Sequence, residues 1–109
     1  MIYEIALLPI RADQIDAFTR AFSVVTPMLT RAKGYVGHML TQGVEMPSHF
    51  TLIVQWQTLE DHTQGFEPSD DHQVFMAGLN EYFAEEPTVN HVRAVSPNGR
   101  TDFISARED

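Results

Sequence analysis

Apolar residues follow two different spacings in the first third of the chain. Residues 1–10 are apolar except for Tyr3, Glu4 and Pro9, and they are rich in residues that favour strands. This composition predicts a strand covered on both faces. Over residues 12–33 the apolar positions recur every three or four residues, which predicts an amphipathic helix. Pro27 predicts a kink or a separate last turn in this helix, and Gly34 is placed to cap its end. The apolar stripe consists of Ile15, Phe18, Phe22, Val25 and Leu29.

The rest of the chain repeats this alternation of strand and helix. Residues 35–41 and 50–56 have the composition of two strands joined by a turn-rich loop. Residues 58–66 fit a short helix or an irregular segment. A proline, a serine and an aspartate then precede a helix predicted to run to about residue 86. Residues 88–96 predict a last strand.

The order strand, helix, strand, strand, helix, strand is that of an α+β, ferredoxin-like split βαβ fold with an antiparallel sheet and both helices on one face. The strands nevertheless carry apolar residues on both faces. Along the third strand, Phe50, Leu52, Val54 and Trp56 point one way, while Ile53 points the other way. A second copy of the same sheet is the simplest cover for the outer face, so the pattern predicts a homodimer.

Composition narrows the class of function further. The 109 residues fit a single domain, and the net charge of −8 with scattered basic residues argues against binding to nucleic acid. The absence of cysteine excludes disulfides, thiolate metal sites and thiol nucleophiles. The sequence shows no long apolar run and no secretory pattern, so we expect no membrane partner and a cytoplasmic location.

Three segments give the chain a family resemblance. A helix ends in a glycine–aromatic turn at Gly34 and Tyr35, a strand ends in Trp56, and His72 precedes Phe75 on the next helix. These features resemble the antibiotic biosynthesis monooxygenase superfamily, and in particular its small quinol monooxygenases. The segments read VVTPMLTRAKGYVGHML, FTLIVQWQTLEDH and DHQVFMAGLNEYF.

The resemblance implies a domain over residues 1–96 that forms a dimeric α+β barrel, followed by a polar tail at 97–109. It implies a monooxygenase that oxidises a quinol or polycyclic phenol with dioxygen and without a cofactor. Two alternatives remain open: an isomerase or decarboxylase that uses the same barrel without oxygen, and a stress-response module that only binds a small ligand. Gly65 stands where many members have His or Trp, which favours the binding module and disfavours haem degradation.

Cofactor-free oxygenation needs a base in an apolar pocket, and histidine suits this role because its ordinary pKa lies near 6.5. His72, in the first turn of the second helix, is the first candidate for the base, with a surface or capping role as its alternative. His62, in the loop after the third strand, is the second candidate. We expect His38 at the dimer interface, whereas His49 and His91 offer no argument beyond their residue type.

Aromatic residues supply candidates for substrate contacts, although each also fits a place in the core. Trp56 has an indole N–H that can bind a ligand oxygen and a ring that can stack on a substrate. The carboxylates and histidines over residues 60–72 lack a recognised ligand spacing, so we predict no metal site and no cofactor. The other aromatic candidates for a small aromatic substrate are Phe50, Phe66, Phe75 and Tyr82.

Overall fold

A computed structural model of the protein describes residues 1–96; the polar tail at 97–109 lies outside the described residues. The elements follow the predicted order, with a π-helical turn and a 3-10 turn between the larger ones. They are β1 (Ile2–Pro9), α1 (Ile15–Thr30), β2 (Tyr35–Gln42), β3 (His49–Trp56), the π-helical turn (Asp61–Phe66), α2 (Asp70–Ala77), the 3-10 turn (Asn80–Tyr82) and β4 (Thr88–Val92).

The strands form an antiparallel sheet in the order β2-β3-β1-β4. Both helices pack on one face of this sheet, which confirms the α+β ferredoxin-like arrangement. The register matters for the site, because residues directly opposite each other in an antiparallel pair share a face. Glu4 lies opposite Val54 on one side and His91 on the other, so the helix-covered face carries both titratable groups next to each other.

The core lies between this face and the helices. Four residues of the predicted α1 stripe are buried, and its fifth residue, Ile15, is partly buried. The four alternate residues of β3 that were assigned to one face are each at most 5 % exposed. The helix continues through Pro27 to Thr30 instead of ending in a separate turn. The proline removes one backbone hydrogen bond, and the packing of α1 against the core compensates for this loss.

Two predicted elements are shorter in the structure. Helix α2 ends at Ala77, and not near residue 86, because Gly78 caps it and packs so closely on Val25 that a β-carbon at position 78 would overlap with it. Strand β4 ends at Val92 because it reaches the end of its partner β1 there. Val92 pairs with Tyr3, and β1 begins at Ile2.

His38 does not lie on the outer face of the sheet, where the expected dimer interface would be. A bulge between Tyr35 and Gly37 shifts the alternation of β2, so the His38 ring turns towards the helices. There its Nδ1 lies 2.7 Å from the Tyr35 hydroxyl, and its ring packs against Phe22. The outer face instead presents apolar side chains such as Leu7 and Val92, which are 46 % and 49 % exposed.

Among residues 1–96, no helix has the length and apolar composition needed to cross a bilayer.

Candidate functional site

A buried hydrogen bond joins the end of β3 to the middle of β1. The Trp56 indole N–H donates to Oε1 of Glu4 over 3.0 Å, and both residues are buried, Trp56 completely. Burial raises the pKa of the Glu4 carboxyl to about 7, because a charged carboxylate is poorly solvated there. The Trp56 hydrogen bond opposes this shift, whereas the nearby charge of Glu67 adds to it. Glu4 therefore changes its charge near neutral pH.

The π-helical turn carries His62 onto this pair. The Glu67 backbone N–H donates to the His62 carbonyl oxygen over 2.8 Å, five residues back along the chain. Such turns are frequent at functional sites. The turn is held against Gly34, whose positive φ of 85° and missing β-carbon make room for the side chain of Asp61.

His62 is stacked on Trp56, with ring centroids 5.2 Å apart and an angle of 18° between the planes. Its Nε2 lies 3.4 Å from Oε1 of Glu4, and its Nδ1 lies 2.8 Å from Nε2 of His91. Burial is the main cause that lowers the pKa of His62 to about 4, and the neighbouring charges of His91 and His72 contribute to this shift. The ring is therefore neutral at neutral pH.

His72 occupies a different position on the same cavity. It lies in the first turn of α2, where its backbone N–H donates to the side-chain oxygen of the helix cap Ser69 over 3.1 Å. Its half-buried ring packs at right angles to Phe66, with the ring centroids 5.2 Å apart, and no hydrogen bond to its ring nitrogens is found among residues 1–96. Burial lowers the pKa of His72, partly opposed by the charge of Glu67.

A cavity of about 210 Å³ lies between the sheet and α2, with both His62 and His72 in its wall. Three carboxyl groups, from Glu4, Glu67 and Glu86, share this wall, and no lysine or arginine is found among the described lining residues. The rest of the lining is apolar. It includes Ala6, Leu8, Leu29, Leu52, Phe66, Phe75, Met76, Leu79, Phe83 and Val89.

The predicted site residues separate into two groups. The cavity brings together His62, His72, Phe66 and Phe75, and Trp56 lies directly behind His62. Two predicted aromatic contacts lie elsewhere. Phe50 packs edge-on against a phenylalanine of α1 in the core, and Tyr82 lines a separate surface depression between α1 and the 3-10 turn.

Sequence reasoning missed two members of the site, Glu4 and His91. One signal for Glu4 was present, since it is the single charged residue of an apolar strand and has the same parity as the buried Ala6 and Leu8. His91 had no comparable signal, because its place beside His62 depends on the pairing of β4 with β1.

Comparison with known proteins decides the family. The family model described as antibiotic biosynthesis monooxygenase matches residues 1–78. The chain is also 37 % identical over 95 residues to the uncharacterised protein YczJ of Bacillus subtilis (strain 168), covering 87 % of this chain and all of that protein. The chain belongs to the antibiotic biosynthesis monooxygenase family.

Solved structures agree with this assignment. A Bordetella bronchiseptica protein attributed to the antibiotic biosynthesis monooxygenases has a TM-score of 0.83 and 33 % identity, over 87 % of this chain and 97 % of its own. A Nitrosomonas europaea protein attributed to the same family has a TM-score of 0.75 at 17 % identity, over 88 % of this chain and 100 % of its own. The second similarity supports the fold alone.

One departure from the antibiotic biosynthesis monooxygenase pattern can be located in the structure. Gly65, at the position where the resemblance predicts His or Trp, lies outside the cavity of His62 and His72, in a surface depression that also contains Asp61 and Gln64. A β-carbon at position 65 would face open space, with the carbonyl oxygen of Glu60 3.8 Å away as its nearest neighbour. The imidazoles of this chain's cavity come from His62 and His72 instead.

Proposed function

We propose that the protein is a cofactor-independent monooxygenase that oxidises a small quinol or phenol with dioxygen, with His72 as the base. The observation that carries this proposal is the position of His72: its ring faces an apolar cavity, and its nitrogens have no hydrogen-bond partner among the described residues. Its lowered pKa keeps the imidazole neutral at neutral pH, as a proton acceptor requires. His62 is less suited to this role, because both of its ring nitrogens face protein groups.

The chemistry needs only what the substrate and oxygen supply. His72 accepts the phenolic proton, and the resulting anion transfers an electron to dioxygen. The two radicals combine at a ring carbon, and the peroxide anion takes back the proton held by His72 to form a hydroperoxide. The hydroperoxide loses the carbon-bound proton and hydroxide as water and leaves a carbonyl group. Hydroquinone and dioxygen thus give hydroxybenzoquinone and water. The quinol supplies all the electrons, so no external reductant takes part, and the apolar walls exclude water from the intermediates.

The size of the cavity favours a small substrate. Sites for drug-sized ligands have volumes of about 300–1,000 Å³, and an apolar cavity of about 150 Å³ accommodates benzene. A cavity of about 210 Å³ therefore suits one or two fused rings better than a larger polycyclic phenol. Phe66 and Phe75 line the cavity and offer such a substrate aromatic surfaces.

We also propose that the protein works as a homodimer. The outer face of the sheet has no helix over it and presents apolar side chains of β1 and β4, among them Leu7 and Val92. Burial of this face against a second copy would remove it from water. Light scattering should give twice the monomer mass of 12.4 kDa at micromolar concentration, and a monomer there would exclude the dimer.

A second candidate function is ligand binding without chemistry. It is favoured by the carboxyl groups of Glu4, Glu67 and Glu86 in the cavity wall, because these disfavour a phenolate intermediate and no described cation in the wall offsets them. An oxygen-independent isomerase or decarboxylase would use the same base and cavity, so the experiment must distinguish all three activities.

Oxygen uptake by the purified, chelator-treated protein tests the proposal. A panel of hydroquinones, naphthoquinols and anthrone-like phenols is measured with and without oxygen, and heat-denatured protein gives the rate of autoxidation. We expect protein-dependent oxygen uptake that is greatest for the one- and two-ring compounds. Product formed without oxygen would instead indicate an isomerase or decarboxylase. Saturable binding with no product under either condition would indicate a binding module.

A further inference from the structure

Glu4, His62 and His91 form a continuous row of titratable groups from the cavity towards the open edge of the sheet. Oε1 of Glu4 lies 3.4 Å from Nε2 of His62, and Nδ1 of His62 lies 2.8 Å from Nε2 of His91. Glu4 and His62 are 7 % and 2 % exposed, whereas His91 is partly exposed on β4, the edge strand. The row therefore begins at a buried carboxyl in the cavity wall and ends at a group that water can reach.

The same heavy-atom geometry fits two opposite arrangements of protons. When Glu4 is protonated, it donates to Nε2 of His62, and the N–H at Nδ1 of His62 donates to Nε2 of His91. When Glu4 is ionised, Nε2 of His62 donates to Glu4, and Nε2 of His91 donates to Nδ1 of His62. Both rings are neutral in both arrangements, and each contact keeps one donor and one acceptor.

We propose that Glu4, His62 and His91 form a proton path between the cavity and the protein surface. A proton leaves Oε1 of Glu4 for Nε2 of His62, the proton on Nδ1 of His62 moves to Nε2 of His91, and Nδ1 of His91 releases its proton to water. One proton thus crosses from the cavity to solvent, and the reverse sequence returns one. Only the use of this path in turnover rests on the proposed function; the existence of the path is independent of it. During turnover a ligand that fills the cavity excludes the water that would otherwise carry the proton.

Other charged groups around the row determine when Glu4 takes up its proton. Glu67, which follows the π-helical turn, disfavours the ionised form of Glu4. Glu86, which precedes β4, shares the cavity wall with both. His72, on α2, is near enough to His62 to disfavour a second positive charge there. His62 therefore transmits a proton without holding it, and Glu4 is the group that stores one.

The single tryptophan of the chain, Trp56, reports directly on this row, because it donates to Glu4 and stacks on His62. Its fluorescence and the NMR signal of its indole N–H should change in one transition near pH 7, and Glu4→Gln should abolish that transition. A wild-type protein without this transition would overturn the proposal, because Glu4 would then not exchange protons in this range.

The rate of exchange tests the path itself. With the cavity filled by benzene, an unreactive ligand that displaces its water, His91→Gln should slow the relaxation of the Trp56 signal after a laser-induced pH jump at least about tenfold. Glutamine keeps a hydrogen bond to His62 but cannot relay a proton. His91→Ala should also be slow, and free imidazole should restore its rate by occupying the vacated space. His49→Gln, at an exposed histidine outside the row, is the matched control and should relax like wild type.

Relaxation of His91→Gln at the wild-type rate would overturn the path, as would a failure of imidazole to accelerate His91→Ala. A slowed relaxation that imidazole restores in His91→Ala but not in His91→Gln supports the path, because a purely structural role of His91 would not respond in this way. The assay requires no turnover. A protein that consumes no oxygen can still show the path, and an active monooxygenase can lack it.

Discussion

The indole Nε1 of Trp56 and Oε1 of Glu4 meet across two neighbouring strands, 3.0 Å apart, and both side chains are buried. This hydrogen bond satisfies the indole donor but only partly compensates for the loss of water around the carboxylate, whose pKa remains raised to about 7. The pair thus places a group that titrates near neutral pH beside the cavity, with a cost in stability that depends on pH.

Glu4→Gln should change the pH dependence of folding. The pKa of Glu4 is raised from about 4.5 to about 7, so its contribution to stability is fully present below about pH 4.5 and is lost as the pH rises towards 7. Glutamine does not titrate. As the pH rises from about 4.5 to about 7, the free energy of unfolding of the variant relative to wild type should therefore rise by about 3 kcal/mol. Urea denaturation measures it, and a difference that stays constant with pH contradicts the assignment.

His62→Gln should have the opposite dependence. The pKa of His62 is lowered from 6.5 to about 4, so its contribution is present above about pH 6.5 and is lost as the pH falls towards 4. The stability of the variant relative to wild type should therefore rise by about 2–3 kcal/mol as the pH falls across this range. The same denaturation series measures this, with His49→Gln, at an exposed position, as the control. A difference that rises with increasing pH instead would exclude a buried neutral imidazole.

His72→Ala should lower turnover by about 10²–10⁴-fold if His72 is the base. The lowered pKa of His72 further predicts that kcat/KM rises with pH with a midpoint below the ordinary histidine pKa of about 6.5, because the base loses its proton at a lower pH. Steady-state oxygen uptake as a function of pH measures both effects, and His49→Ala should behave like wild type. An unchanged rate in His72→Ala would remove this residue from the mechanism and leave the cavity with His62 alone.

Anionic substrates should be poor ones. Glu4, Glu67 and Glu86 share the cavity wall, and like charges repel a carboxylated ligand more strongly where water is excluded. We expect kcat/KM for 2,5-dihydroxybenzoate to be at least about tenfold lower than for hydroquinone. Combined Glu67→Gln and Glu86→Gln substitutions should reduce the difference in kcat/KM between the two compounds, whereas Glu60→Gln, outside the cavity, should leave it unchanged. Equal kcat/KM values for both compounds in wild type would exclude an effect of the acidic wall.

The alternation of apolar residues was sufficient to predict the order of the elements and the α+β fold. The strand and helix spacings depend on local burial, so the order of the elements and the buried face of β3 followed from the sequence. His38 did not, because one bulged residue in β2 reverses the face of every later side chain. The length of α2 did not follow either, since it depends on how closely Gly78 approaches Val25 on the other helix.

The site itself depends on long-range relationships that no local pattern contains. His91 reaches His62 only because β4 pairs with β1 in the register that sets Glu4 opposite His91. A π-helical turn, whose extra residue per turn leaves no periodic signal, then points His62 at both. His72 was accessible to sequence reasoning because a helix cap, Ser69, fixes its position locally.

The stoichiometry of oxygen consumption with a one-ring quinol, compared between wild type and His72→Ala, tests the central claim most directly. Monooxygenation predicts one dioxygen consumed for each quinol, a hydroxylated quinone as product, no oxygen returned when catalase is added, and loss of this activity in the variant. Release of hydrogen peroxide with an unhydroxylated quinone, or equal rates in wild type and variant, would contradict oxygenation at His72.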